Sequence, residues 1–344
     1  MNGVNLNSEL IHVVGDEVWM VHSQLNILIS VNLITNVQKE YIIPYTEVVG
    51  GFYISLLEYN NSLILIPGSA SRFVFFDISN EVFNELPIDN PETRWYFGGA
   101  FIKDQILYAI PREGEIKAID LNELIFLEDE CTKSVKEKSY DGYYYAGEIC
   151  GHMILANFKH AGFLVVDKNG KSEWILESDF SPSEYDLYSK NDCVYIHNPH
   201  SRKIYVYDFS TEELKELSES TYAEPGALIC VRDGLIVLDY YFKNVLEYVD
   251  LYTTNANRQI IKESDHKNRE TYHGAFEIAN DKTLWFNNCT GELQIFEDIE
   301  IDPIKSISVI ISKETILQLQ KKGIIKGLIK ENSVISLKEY MLMI

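Results

Sequence analysis

An acidic or amide residue returns seven times along this chain, each time at the end of a short apolar run. The repeated positions are Asn32, Asp77, Asp120, Asp167, Asp208, Asp250 and Asp298. The intervals between them are 45, 43, 47, 41, 42 and 48 residues. A period of this length, filled with short strand-like runs, is typical of rings of four-stranded sheets. We therefore predict an all-β fold, a seven-bladed β-propeller of four-stranded antiparallel blades, with a short α-helical C-terminal extension.

The second copy shows how one repeat divides into four strands. We predict strands at 52–59, 63–66, 73–76 and 82–86, with Asn60-Asn61 as the tight turn between the first two. Asparagine suits such a turn because it tolerates positive φ. The recurring Asp ends the third strand, where its carboxylate can accept N–H groups of the following turn. We assign it this structural role rather than catalysis or metal binding.

A resemblance to a known repeat appears in the segment 202–217, RKIYVYDFSTEELKEL. It resembles the second half of a kelch repeat, in which an apolar run and an Asp precede a large residue six positions later. Phe83, Phe126 and Leu214 occupy that later position here. The similarity extends over most of 9–302, although the glycine pair of kelch repeats is absent from the corresponding positions. It implies a kelch-like propeller.

The charge of the chain limits its partners. Its formal net charge is −22 over 344 residues, whereas nucleic acids and anionic membranes bind basic surfaces. We therefore predict neither a nucleic-acid partner nor a membrane partner. The first ten residues lack a signal-peptide pattern and no run of eighteen apolar residues occurs, so we expect a cytoplasmic protein. No linear motif for a metal or a cofactor is found, and we predict none.

The composition changes after Pro303. Residues 303–344 contain seven Lys and three Glu. We assign 1–310 to the propeller and 311–344 to a basic amphipathic helical tail, with helices at 314–330 and 337–344. The tail either packs on its own propeller, which we favour, or docks a partner or a second copy of the chain. The register leaves the first and last blades to seal by packing, without a blade that mixes strands from both chain ends.

A candidate site follows from the order of the strands. In an up-and-down propeller, loops from the second to the third strand open on the same face as loops that enter the next blade. Aromatic residues gather in the entering loops and basic residues in the others, which suits a peptide segment or an anionic small molecule. The alternative is that the rings plug the channel and the basic residues offset nearby carboxylates. The predicted ligand-binding residues are Arg72, Arg94, Trp95, Tyr96, Arg112, Tyr145, His160, Arg202, Tyr222, Tyr272 and His273.

Three hypotheses for function remain open at this point. The first is a non-catalytic recognition propeller that binds a protein or peptide segment, or an anionic small molecule, around the central channel. The second is a carbohydrate-active or lyase-type enzyme with an acid–base group at the channel mouth, drawn from Glu148, Glu224, Glu270 and His273. The third is a structural subunit docked through 311–344. The absence of a nucleophile or metal motif favours the first.

Overall fold

The computed structural model describes most of the chain. The described residues are 4–6, 8, 10–22, 25–44, 53–68, 70–88, 97–111, 116–128, 143–157, 162–167, 169, 171–175, 186–190, 192–198, 201–219, 227–232, 235–240, 245–250, 258–263, 274–279, 281–288, 290–297, 302–321, 329–330 and 333–334. In this part of the chain no helix has the length and apolarity needed to cross a membrane.

The described residues form seven four-stranded antiparallel sheets, each built from four strands that are consecutive in sequence. A short strand, β1 (Val4–Asn5), precedes them. Sheet 1 contains β2 (Leu10–Val14), β3 (Glu17–Val21), β4 (Ile27–Asn32) and β5 (Gln38–Ile42). Sheet 2 contains β6 (Tyr53–Tyr59), β7 (Ser62–Pro67), β8 (Arg72–Asp77) and β9 (Val82–Pro87). Sheet 3 contains β10 (Phe97–Lys103), β11 (Ile106–Pro111), β12 (Lys117–Asp120) and β13 (Ile125–Leu127). Sheet 4 contains β14 (Tyr143–Ile149), β15 (His152–Asn157), β16 (Phe163–Val166) and β17 (Ser172–Ile175).

The remaining sheets follow the same order. Sheet 5 contains β18 (Asp186–Lys190), β19 (Cys193–His197), β20 (Lys203–Asp208) and β21 (Glu213–Glu219). Sheet 6 contains β22 (Ala227–Arg232), β23 (Leu235–Tyr240), β24 (Val245–Asp250) and β25 (Arg258–Glu263). Sheet 7 contains β26 (Gly274–Ala279), β27 (Lys282–Asn287), β28 (Glu292–Phe296) and β29 (Lys305–Ser308). They are followed by β30 (Ile310–Ile311), helix α1 (Lys313–Lys321), β31 (Ile329–Lys330) and β32 (Ser333–Val334). In sheet 2, the four strands predicted from sequence agree with those observed to within one residue at each end.

The core lies between neighbouring sheets. The middle strands carry apolar residues on both faces, as in the run Phe73–Phe76 of β8, which is buried throughout. Trp19 and Leu28 of sheet 1 pack with Leu63 and Phe76 of sheet 2 in one buried cluster, and similar clusters join sheets 2 to 3, 3 to 4 and 4 to 5. A further cluster joins sheet 1 to sheet 7, so that sheets 1 to 4 are each covered on both faces. This stacking of four-stranded sheets confirms the predicted all-β propeller.

The first and last of these sheets lie next to each other. Strand β2 contacts both β6 of sheet 2 and β26 of sheet 7. None of the seven sheets combines strands from the two chain ends, in agreement with the predicted register. Strands β1 and β30, which precede and follow the seven sheets in the sequence, nevertheless pair in a separate two-stranded ladder, in which Val4 lies opposite Ile311. The N–H of Leu6 extends this ladder by donating to the carbonyl of Val309 at 3.2 Å.

Helix α1 lies beside sheets 1 and 7. Leu319 of the helix is fully buried in the cluster formed by sheets 1 and 7. Ser312 caps the helix, because its hydroxyl accepts the N–H of Thr315 at 3.2 Å. The backbone N–H of Ser312 donates to the carboxylate of Glu40 in sheet 1 at 2.9 Å. The N-terminal end of helix α1 is thus bonded to sheet 1.

The predicted helix 314–330 is wrong at its C-terminal end. The observed helix ends at Lys321, and Ile329–Lys330 instead forms a strand paired with Ser333–Val334. Gly323 and Gly327 account for the early end, because each glycine disfavours a helix by about 1 kcal/mol relative to alanine. The second predicted helix, 337–344, lies outside the described residues.

The recurring Asp has the structural role predicted for it. The carboxylate of Asp77 accepts the N–H of Asn80 at 2.9 Å, and that of Asp208 accepts the N–H of Ser210 at 2.8 Å. Asn32 makes the equivalent bond with the N–H of Thr35, also at 2.8 Å. Hydrogen bonds from the turn lower the pKa of Asp77 and Asp208, that from the Asn80 side chain being the largest cause at Asp77. The residue therefore shapes the turn to the outer strand.

Candidate functional site

The strand order gives the propeller two distinct faces. The loop face carries the connections from second to third strands and from each sheet to the next. The turn face carries the tight turns from first to second strands and from third to fourth strands. The sequence predicts the ligand site on the loop face.

Two predicted arginines are already paired within their own sheets. Arg72, the first residue of β8, forms an ion pair with Glu85 of the adjacent outer strand. Arg202 lies directly before β20, and its guanidinium is 2.8 Å from the carboxylate of Glu219. Each positive charge therefore has a carboxylate partner inside the sheet, which reduces the charge available to an anionic ligand.

Most of the other predicted residues lie outside the described part of the chain. For Tyr145 the structure gives the backbone, which pairs with Ala156 in sheet 4. The rest of the predicted loop-face site therefore lies outside the described residues. The residues concerned are Arg94, Trp95, Tyr96, Arg112, His160, Tyr222, Glu224, Glu270, Tyr272 and His273.

Glu148 does not lie where the sequence analysis places it. It is the sixth residue of β14, opposite Met153, and so lies at the turn-face end of the innermost strand. Its carboxylate accepts the backbone N–H of Gly151 in the following turn. The prediction of Glu148 at the mouth of the loop face is wrong. Strand β14 begins at the loop face, and Glu148 lies near its other end.

Buried polar residues hold the described connections of the loop face. The imidazole Nδ1 of His22 accepts the N–H of Leu25 at 3.2 Å, and burial lowers the pKa of His22 to about 3. Asn198 and Asn287 accept N–H groups of their own loops in the same way. His22 is therefore neutral at physiological pH, and these three residues shape loops rather than present charge.

The turn face carries a cleft between sheets 4 and 5, which we call the 4/5 cleft. It has a volume of about 440 Å³. The cleft forms because the third-to-fourth-strand turn of sheet 5 stands beside the outer strand of sheet 4. Its aromatic and ionisable lining comprises His152, Glu173 and Trp174 from sheet 4 and Tyr207, Phe209 and Glu212 from sheet 5, together with Asp167 and Lys171 at the rim.

The aromatic lining of the 4/5 cleft is packed edge to face. The rings of Tyr207 and Phe209 have centroids 4.9 Å apart and planes at 85°. His152 lies against Phe209, with ring centroids 5.2 Å apart. Tyr207 is buried, whereas Phe209 and Trp174 are half-buried and present ring surface to the cleft. Such fixed aromatic surfaces provide large contact area at low entropic cost.

The charges of the 4/5 cleft are mainly negative. Glu173 and Glu212 are exposed at its two sides, one on each sheet. Among the described residues, no three His, Cys, Asp or Glu side chains are arranged to hold a metal ion. The combination of carboxylates and aromatic rings instead suits a cationic group that carries an apolar stem.

A second cleft lies at the equivalent place between sheets 2 and 3. Its volume is about 280 Å³. Leu121 and Leu124 occupy the positions of Phe209 and Glu212, and Asn84 occupies that of Glu173. The repeat therefore builds the same kind of cleft at both places. Among the described residues, Asp77 is the one acidic residue that lines the second cleft, whereas Asp167, Glu173 and Glu212 line the 4/5 cleft.

Sequence reasoning missed Glu277 as well as the turn-face clefts. Glu277 lies on the innermost strand of sheet 7 and is partly buried. Burial raises its pKa to about 7. Burial also lowers the pKa of His12 on the innermost strand of sheet 1, against a smaller opposing effect of Glu58, whose carboxylate is 3.9 Å away. The alternation of apolar and polar residues along an inner strand indicates which residues share a face. It does not indicate how deeply an ionisable residue such as Glu277 is buried.

The comparisons with known proteins agree on architecture. No family model matches the chain, and no curated protein matches it. Virginiamycin B lyase from Staphylococcus aureus has 12% identity and a TM-score of 0.65, with 84% of this chain and 95% of that chain covered. The computationally designed Ika8 protein has 12% identity and a TM-score of 0.60, with coverages of 90% and 89%.

A chain of the Mitotic Checkpoint Complex is similar to a comparable extent. It has 11% identity and a TM-score of 0.59, with 86% of this chain and 90% of that chain covered. These proteins differ widely in what their names describe, and their sequence identities to this chain are low. What this chain shares with them is therefore the fold, a β-propeller of four-stranded antiparallel blades.

Proposed function

We propose that this protein is a recognition propeller that binds a segment of another protein. The 4/5 cleft is the single observation that carries the proposal. It is open to solvent, it has a volume suited to one or two side chains, and its walls are aromatic. Recognition proteins commonly anchor a few partner side chains in pockets of this kind while the surrounding contacts exclude water.

The described part of the loop face gives less support to the anionic small molecule. Arg72 and Arg202 are each paired with a carboxylate of their own sheet. The lyase-type alternative requires carboxylates that converge at the channel mouth, and Glu148 is bonded to a turn at the opposite end. A peptide ligand is thus favoured over both. Membership of the kelch family stays a prediction.

We further propose that the seven sheets are seven blades of one ring, and that the tail from 311 onward helps to close it. The burial of Leu319 between sheets 1 and 7 supports this role. So do the bonds from Ser312 to Glu40 of sheet 1. The segment from Ser312 to Lys321, held in this way, packs on its own propeller, whereas the third hypothesis has the tail dock a partner.

The function is tested with an immobilised array of random peptides about twelve residues long. Purified wild-type protein is expected to bind a defined subset of the array at micromolar concentration. Phe209→Leu removes an aromatic wall but keeps an apolar residue, as Leu121 does in the equivalent cleft. This variant is expected to lose most of that subset, while Ile125→Ala, which changes an exposed residue of sheet 3, retains it.

Two results would contradict the proposal. Binding to no peptide at all would exclude recognition of linear segments. Binding by Phe209→Leu to the same subset with unchanged intensity would show that the 4/5 cleft is not the site. A thermal melt of each variant establishes that it is folded before the arrays are compared.

A further inference from the structure

Four of the third-to-fourth-strand turns in the described part of the chain share one residue position with the same backbone conformation. This residue stands four positions after the recurring Asp or Asn, and it has a left-handed backbone. The φ angles are 60° at Asn36, 55° at Glu81, 54° at Leu124 and 55° at Glu212. Because the backbone geometry is the same, these side chains leave the turn in the same direction. Equivalent junctions between sheets can therefore be compared residue by residue.

At the junction of sheets 1 and 2 this side chain holds a lysine. The carboxylate of Glu81 is 2.8 Å from the ammonium of Lys39 on the outer strand of sheet 1. The same carboxylate accepts the hydroxyl of Tyr41 at 2.9 Å. A cation is thus bound between the two sheets, next to an aromatic residue, by the residue four positions after Asp77.

At the 4/5 cleft the lysine of this arrangement is replaced by a carboxylate. Glu212 stands four positions after Asp208 and corresponds to Glu81. Glu173 lies opposite Val165, two residues before Asp167, just as Lys39 lies opposite Ser30, two residues before Asn32. The 4/5 cleft therefore presents two carboxylates where the first junction presents a carboxylate and its cation.

Neither carboxylate has an internal counter-ion among the described residues, since no described cation lies within 4.0 Å of Glu173 or Glu212. Lys171 lines the cleft but forms no such pair. Both carboxylates are close enough to the hydroxyl of Tyr207 to raise its pKa, although burial is the larger cause. The two carboxylates thus share the cleft with Tyr207, Trp174 and Phe209.

We propose that the 4/5 cleft binds a Lys or Arg side chain of a basic peptide segment, with its charged end between Glu173 and Glu212. The inference rests on the function proposed above and names the class of peptide. The aliphatic stem of such a side chain packs on Trp174 and Phe209, and the cation faces the ring of Tyr207. The net charge of −22 favours the approach of a basic segment from solution.

The equivalent cleft between sheets 2 and 3 lacks these two carboxylates. Asn84 and Leu124 stand there in place of Glu173 and Glu212, and Asp77 is the one acidic residue among its described lining residues. The proposed preference for a cation therefore distinguishes the 4/5 cleft from this second cleft.

The test uses a fluorescein-labelled peptide of about ten residues, acetylated and amidated, in which three Lys alternate with Ala. Binding is measured by fluorescence anisotropy on the full chain. The Lys peptide is expected to bind about tenfold more tightly than the same peptide with Gln in place of Lys, and more weakly as salt is raised. Glu173→Lys reproduces the lysine of the first junction, so its ammonium is expected to pair with Glu212 and reduce affinity about tenfold.

The control for overall charge is Glu297→Lys, an equal charge change at the exposed residue that directly follows β28. It is expected to change affinity less than about twofold. Equal losses in the two variants would overturn the inference, because they would indicate attraction by net charge alone. Full affinity in Glu173→Lys would do the same.

A competition experiment separates a peptide from a free amine. Lysine amide at a concentration equal to the competing peptide is expected to displace the label poorly, because it lacks neighbouring contacts. Equal displacement would overturn the assignment to a peptide segment. If the array selects peptides through the 4/5 cleft but they show no preference for Lys or Arg, the recognition function stands and this inference fails.

Discussion

Replacing Glu277 by Gln should stabilise the protein at alkaline pH and do so much less under acidic conditions. Glu277 lies on the innermost strand of sheet 7, two residues before Ala279, which packs against the core between sheets 7 and 1. Alternate residues of a strand share a face, so Glu277 is directed toward the same seam. Burial there raises its pKa from the usual 4.5 to about 7.

The sign of the effect follows from the two states of the chain. The unfolded chain releases this proton near pH 4.5, whereas the folded protein keeps it until about pH 7. Stability is therefore unaffected below pH 4.5, falls between pH 4.5 and pH 7, and is constant above that. At about 1.4 kcal/mol per pH unit, the penalty is roughly 1.4 kcal/mol at pH 5.5 and roughly 3.4 kcal/mol at pH 8.5.

Glutamine removes the charge and keeps the shape, so Glu277→Gln should gain about 2 kcal/mol more at pH 8.5 than at pH 5.5. Urea unfolding followed by tryptophan fluorescence measures both values, provided that the slopes of the transitions agree. Glu297→Gln removes the same charge from the exposed residue that directly follows β28 and should change stability by less than about 0.5 kcal/mol. An equal gain at both pH values, or an equal gain in the control, would refute the reasoning.

Two further predictions concern the tail and the repeated turn. Leu319→Ala should destabilise the protein by about 2–5 kcal/mol, because it leaves a cavity between sheets 1 and 7. Leu317→Ala, on the exposed side of the same helix, should leave the urea midpoint almost unchanged. Similar effects of the two substitutions would show that the helix does not pack as described. Asp208→Ala should lower the melting temperature by roughly 2–4 °C. Asp208→Asn should lower it much less, because Asn32 makes the equivalent hydrogen bond in the turn of sheet 1. Identical melting curves for the two Asp208 variants would contradict the turn role.

The fold could be predicted from the sequence because it is built from a repeated unit. A residue that must close a turn recurs once per sheet, so its spacing reports the size of the unit, and its neighbours give the strands. Asn60 and Asn61, for example, have φ of 46° and 62°, as the tight turn between the first two strands requires. Local chemistry of this kind does not depend on the rest of the molecule, and a linear pattern can therefore predict it.

The site was less predictable because its parts come from different sheets. The aromatic and basic loops drew attention to the loop face, yet Arg72 is paired within its own sheet. Glu148 belongs to the other end of the propeller because a strand of seven residues crosses the whole sheet. The end of helix α1 at Lys321 was also not predicted, although Gly323 and Gly327 follow it in the sequence.

By itself, then, the sequence determined the class of fold, the four-stranded unit and the structural role of the recurring Asp. Only the tertiary structure decided that β1 pairs with β30, that Glu277 is partly buried, and that Glu173 and Glu212 line the same cleft. The physical reason is that turn formation is local, whereas burial and charge pairing depend on which sheets become neighbours. Glu173 and Glu212 belong to successive repeats, and their relation appears only when those repeats are packed side by side.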